Sequence, residues 1–152
     1  MEHLVYVDHK ADELNKLLSL TKTKIIRGAA GRKLPYGRVF EHETLYFVEN
    51  DGSQLIKACA TVKSVFNSDV LSFDDSKSII LSQQTSLNLS DAQQKRWIGK
   101  KRLCIIEVMD VKRLDEPLTY HRQNNMDDWI TVESIDDILT QSDKTYQSLR
   151  IT

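Results

Sequence analysis

The fold turns on the reading of Leu55-Ile56-Lys57-Ala58-Cys59-Ala60-Thr61-Val62-Lys63-Ser64-Val65-Phe66. Ile56, Ala58, Ala60 and Val62 fall on one side of an alternating pattern, and Lys57, Cys59, Thr61 and Lys63 fall on the other. Period two is the geometry of a pleated strand, here with one face on a core and a polar face toward water. Just upstream, Thr44 to Glu49 is a second β-rich run, and Asn50-Asp51-Gly52 supplies the turn that ends it. Together the two runs predict a β-hairpin.

Downstream of the hairpin, Ser72 with Asp75 three residues on has the spacing of a helix cap before Phe73 to about Gln83. Ser90 and Gln93 repeat that spacing before a short helix through Trp97, which Gly99 ends. Arg102 to Val111 then forms the strongest strand signal in the chain, with Glu107 its one carboxylate within the apolar part. That carboxylate has two placements, solvent at a strand edge or a pairing with a cleft lysine, and the edge is the preferred one. Trp129 to Val132 reads as a last strand, followed by a polar helical end. Upstream, Leu4 to Val7 is a short strand, and Asp8 caps a helix to about Ser19 with Leu14, Leu17 and Leu18 on one face. Thr23 to Arg27 is a further strand, followed by a loop punctuated by Gly28, Gly31, Pro35 and Gly37.

This order of elements is α+β, with helices grouped beside a curved sheet. Five or six short strands in so small a chain fit a partly closed barrel. A chain of about 150 residues can bury roughly 70% of its unfolded surface, enough for one domain over residues 1–152. No apolar run approaches the roughly 20 residues of a membrane span. The first residues, Met1 to Tyr6, lack the pattern of a signal peptide, so the expected location is cytoplasmic, away from the membrane. Cys59 and Cys104 lie in apolar runs and read as reduced structural residues. His3, His9, His42 and His121 have no metal-ligand spacing, so neither a metal nor a cofactor is expected.

Net charge is −1, so the distribution of charge is what discriminates. From Leu14 to Phe40 there are seven basic residues, Lys16, Lys22, Lys24, Arg27, Arg32, Lys33 and Arg38, and no acid. Lys95, Arg96, Lys100, Lys101 and Arg102 form a second cluster, while acids collect late, at Asp115-Glu116, Asp127-Asp128, Glu133 and Asp136-Asp137. Segregated charge lets a neutral protein present a basic face.

Thr21-Lys22-Thr23-Lys24-Ile25-Ile26-Arg27, placed after the first helix, resembles the GxKxxExR motif of the ASCH domains of the PUA-like superfamily. Lys22 and Arg27 match its basic positions, while Leu20 replaces the glycine and Ile25 the glutamate. Leu45 to Val48, Ala58 to Val62 and Trp97 to Glu107 extend the resemblance over residues 8–112. It implies a small PUA-like β-barrel of five or six strands flanked by two or three helices, with a cleft suited to RNA or a nucleotide. Some small members hydrolyse acetylated cytidine with a lysine, a threonine and a glutamate. Lys22 matches that lysine, but the threonine position is Ile25, and before Ser90 stand Gln83, Gln84 and Thr85. Isoleucine cannot be a nucleophile and an amide cannot be a general base, so catalysis is not the first expectation.

The expected site is nucleic-acid-binding: Lys22, Arg27, Arg32, Lys33, Tyr36, Arg38, Lys57 and Lys63, with Tyr36 as a stacking face. RNA is the foremost partner, single-stranded or structured. Each component has a plainer reading. The glycine loop is a phosphate cradle or a solvated turn, and its Gly28-x-x-Gly31 spacing follows a strand, unlike the clamp of KH domains. Lys22 and Arg27 face a ligand or make structural ion pairs. Lys57 and Lys63 are read first as solvated, Lys95 to Arg102 as a solvated helix end, and Trp97 and Trp129 as core anchors. A hydrolase of an acylated cytidine-like nucleoside and a protein-interaction domain remain the alternatives.

Overall fold

The computed structural model of the chain describes residues 1–122 and 127–140. Six strands form one sheet: β1 (Glu2–Val7), β2 (Lys24–Ala29), β3 (Thr44–Glu49), β4 (Leu55–Asn67), β5 (Arg102–Thr119) and β6 (Trp129–Val132). Their spatial order is β2-β5-β4-β3-β1-β6. β1 runs parallel to β3, and every other neighbouring pair is antiparallel. The helices are α1 (Glu13–Leu18), α2 (Phe73–Ser82), α3 (Gln84–Leu87) and α4 (Asp91–Trp97), with a 3-10 turn at Ile135–Ile138. Among the described residues four helices thus stand where two or three were expected, the added one being the single turn α3. No described helix is long and apolar enough to cross a membrane.

Alternation explains how the sheet is covered on both faces. Val5, Val7, Leu45, Phe47, Ala58, Ala60 and Val62 pack inside the curl with Leu14 and Leu17 of α1. Leu4, Tyr46 and Val48 point the other way, onto Leu118, Tyr120 and the Ile135–Ile138 turn. Ile26, Leu103 and Ile105 meet Ile80, Leu87 and Trp97 from the helices. Both faces being buried, the polar-face reading of β4 holds only in part. Cys59 is buried on the outer face, and the register of β4 against β5 shifts between Ile56 and Ala58. That shift puts Ile56 with the outer cluster, although simple alternation groups it with Ala58. A bulge adds local twist, and β4 carries three such shifts against β5. They curl the sheet into a half-barrel.

β5 lies between β2 and β4, so it is interior and Glu107 is not at an edge. Glu107 pairs in register with Lys24 and Ser64, and it accepts a hydrogen bond from the Ser64 hydroxyl at 3.2 Å. The first helix begins later than expected. Asp8 accepts from the amide of Ala11 within a turn, and α1 starts only after Asp12, whose φ is 56°. The caps at Ser72 and Ser90 form, and the second is a reciprocal capping box with Gln93. The polar helical end expected after the 3-10 turn lies outside the described residues from 141 onward.

Candidate functional site

β2 and β6 are opposite edges in strand order, yet the curl brings them within reach of one side chain, and Arg27 bridges the seam. Its Nη2 donates to the Tyr6 carbonyl of β1 at 2.6 Å and its Nη1 to the Ile26 carbonyl at 2.8 Å. Nε lies 3.0 Å from Asp128 Oδ2, an ion pair away from hydrogen-bonding alignment. The guanidinium carbon sits 6.0 Å from the Trp97 ring centroid and 5.7 Å from that of Trp129. With 9% of its surface exposed, Arg27 is a fixed positive charge sandwiched between two buried indoles. Trp129 is itself held, its Nε1 donating to His3 Nδ1 at 3.1 Å.

Above this seam lies a cavity of about 160 Å³, walled by β2, the following loop, the end of α4, the start of β5 and Asp127-Asp128. Five cations line it: Arg27, Lys33, Arg96, Lys100 and Arg102. Tyr36 and Trp97 add aromatic surface. Gly28 fixes one wall, because a Cβ there would lie 3.0 Å from Cβ and Cγ of Lys100. Its bare backbone lets the lysine stem run close beside β2. Arg102 donates to the Tyr36 hydroxyl at 3.2 Å and lies 5.5 Å from that ring's centroid, and Tyr36 in turn donates to the Ser68 carbonyl. Cys104, at the base, is a protonated thiol, its pKa pushed up to about 12 by burial against the opposing pull of Arg27.

The two carboxylates divide these cations. Asp127 pairs with Lys33, and Asp128 lies 3.0 Å from Arg27 and 3.6 Å from Arg96. The hydrogen bond to Lys33 holds the Asp127 carboxyl below its usual range. Among the described residues, Lys100 has no carboxylate partner and Arg102 has only the Tyr36 hydroxyl.

Of the residues expected from sequence, the fold brings Arg27, Lys33 and Tyr36 to this cavity. Arg32 and Arg38 are exposed on the same loop but are not among its lining. Lys22 does not reach it. With 1% of its surface exposed, Lys22 donates to the Leu87 carbonyl and pairs with Glu13 Oε2 at 3.2 Å. Burial lowers the Lys22 pKa despite the attraction of Glu13. Burial also works to raise that of Glu13, but Lys22 and Arg27 overcome it and hold the carboxyl below its usual range. Lys57 is turned toward Glu49 at 3.0 Å and Asp51 at 3.6 Å, and Lys63 is exposed on β4. His9, Glu49 and Asp51 converge there closely enough to hold a cation, but the Lys57 ammonium already supplies positive charge to both carboxylates. Arg96, Trp97, Lys100 and Arg102 are the lining residues that the sequence reading assigned elsewhere. Their signal was the second basic cluster.

The positions that the resemblance links to hydrolysis are engaged structurally. Ile25 is fully buried in the core. Gln83 Oε1 accepts from Lys24 Nζ at 3.0 Å, and Gln84 binds both the amide and the carbonyl of Leu89.

No family model matches the chain. A sequence search of curated proteins likewise finds no match. Among solved structures, the ASCH protein of Zymomonas mobilis superposes with a TM-score of 0.58 at 13% identity, over 78% of this chain and 73% of that one. Two single-substitution variants of that protein give the same TM-score and identity, over 73% and 75% of their chains. At such identity the likeness speaks to architecture alone, and it agrees with the strand order and helix placement described above: the chain has the fold of an ASCH domain.

Proposed function

We propose that this protein is a nucleic-acid-binding module, with RNA as its foremost ligand, and that the cavity at the barrel seam receives an unpaired nucleotide. The observation that carries this reading is the convergence of five cations and two aromatic rings on one concavity. Phosphate contacts from Lys100, Arg102 and Lys33 supply affinity that falls with salt. Tyr36 offers a stacking surface, and the Asp127 and Asp128 carboxylates offer acceptors for amino groups on a base. Arg27 acts as a positioning residue, since it is buried and both of its Nη atoms are tied to backbone carbonyls at the seam.

The test is a titration of a fluorescent single-stranded RNA pool at low and moderate salt. Wild type is compared with a Lys33→Ala, Lys100→Ala, Arg102→Ala variant of confirmed fold. Micromolar or tighter binding that weakens with salt and collapses in the variant supports the proposal. Wild type that fails to bind at low salt contradicts it and moves attention to a free nucleoside or a protein partner.

A further inference from the structure

A second concavity lies on the far side of α4, between it and α2. It has a volume of about 450 Å³ and is lined by Phe73, Lys77, Asp91, Gln94, Lys95 and Ile98. Phe73 opens α2 and is 59% exposed. Its ring is held from beneath. Gly99 has a φ of 97°, and a Cβ there would come within 3.1 Å of Phe73 Cδ2 and 3.3 Å of Cε2. Only glycine combines that backbone angle with room for the ring. The support is rigid as well, because the Gly99 amide donates to Ser76 Oγ at 2.7 Å and Ser76 Oγ donates to the Phe73 carbonyl at 3.0 Å.

The next residue after Gly99 is Lys100, which lines the seam cavity. The two concavities therefore lie on either side of the Gly99-Lys100 turn, and α4 contributes to both. It sends Lys95 to one, and Arg96 and Trp97 to the other. Lys77 and Lys95 line the same concavity as the open aromatic ring, and Asp91 is the carboxylate in the lining. An exposed ring that shares a concavity with two lysines, one turn of chain from a second cationic cavity, has the make-up of a single-strand binding path.

We infer that Phe73, with Lys77 and Lys95, forms a second nucleotide subsite, on which the base next to the one in the seam cavity stacks while its phosphate meets the two lysines. This rests on the seam cavity being the primary nucleotide site. It gives the bound strand a course over the C-terminal turn of α4, and it makes the ligand at least two nucleotides long.

The experiment compares a single-stranded RNA 12-mer pool with a mixture of nucleoside monophosphates, which are too short to span both concavities. Stacking on one aromatic ring is worth roughly 5- to 150-fold in affinity. Phe73→Ala is expected to lose that factor on the 12-mer and to leave the monophosphate response in place. Phe73→Trp is expected to restore 12-mer binding and to add an indole emission that the 12-mer quenches. Unaltered 12-mer affinity in Phe73→Ala, beside collapse in the Lys33, Lys100, Arg102 variant, overturns the second subsite and leaves the cavity reading standing. No binding of either probe by wild type overturns both.

Discussion

The two basic segments of this chain both reach the seam cavity, but the fold sets carboxylates mainly against the first, and in the second only Arg96 lies near one. Leu14 to Phe40 has seven cations and no acid along 27 residues, yet the fold neutralises three of them with acids from outside the segment. Glu13 takes Lys22, Asp128 takes Arg27, and Asp127 takes Lys33. Lys16 and Lys24 are engaged with the Asn88 carbonyl and the Gln83 amide. The shorter cluster from Lys95 to Arg102 has the ordinary appearance of a solvated helix end, but it delivers Arg96, Lys100 and Arg102 to a shared cavity. A charge run in sequence measures density along the chain. Whether a charge is available to a ligand depends on what the topology sets against it.

The comparison is sharpest at Lys22. A lysine that served the ligand would be dispensable for stability, whereas a buried partner of Glu13 is not. Lys22→Ala leaves a buried carboxylate unpaired and is expected to cost about 3–5 kcal/mol in urea unfolding. Replacing both members with apolar residues, Glu13→Leu with Lys22→Met, is expected to recover most of that loss. Acid titration gives a second view of the same pair. Because the folded Glu13 pKa lies below the ordinary 4.5, the unfolded chain takes up the proton first. The stabilisation is therefore complete above about 4.5 and is lost as pH falls through the lower folded value. Glu13→Gln is expected to flatten that acid limb.

Next in size is the effect of Lys100→Ala with Arg102→Ala on RNA affinity. Losing two phosphate contacts on a single strand is expected to shorten the salt slope by about 1.4, which is about 25-fold in affinity at 0.1 M salt. Arg32→Ala with Arg38→Ala is expected to do less, because neither side chain lines the cavity. A double variant of that loop more damaging than the first would reverse the ranking of the two segments. Asp127→Asn releases Lys33 from an exposed pair and is expected to raise affinity by up to about 5-fold. Lys57→Ala, whose side chain serves Glu49 and Asp51, is expected to leave RNA binding as it is.

β4 was legible from its alternation and β3 and β6 from β-rich runs, and all three stand where the sequence put them. β5 starts at Arg102 as expected but runs past Val111 to Thr119. The caps at Ser72 and Ser90 were legible because capping is local chemistry three residues long. The parallel pairing of β1 with β3 was not, since α1 and β2 intervene and nothing in either strand encodes its partner. The bulge that moves Ile56 to the outer face also escaped the pattern, which assumes unbroken alternation. In the candidate site, the loop cations and Tyr36 were visible as a cluster. The sandwich of Arg27 between Trp97 and Trp129 joins residues far apart in sequence, and it exists only because the sheet curls until β2 comes within side-chain reach of β6.

Lysine acetylation of the wild-type protein with and without saturating single-stranded RNA, read by mass spectrometry, decides whether the seam cavity is the nucleic-acid surface. RNA is expected to protect Lys33 and Lys100 while Lys57 and Lys63 stay equally reactive. Protection of Lys57 and Lys63 with Lys100 still fully labelled would contradict that placement and move the interface to the β4 face.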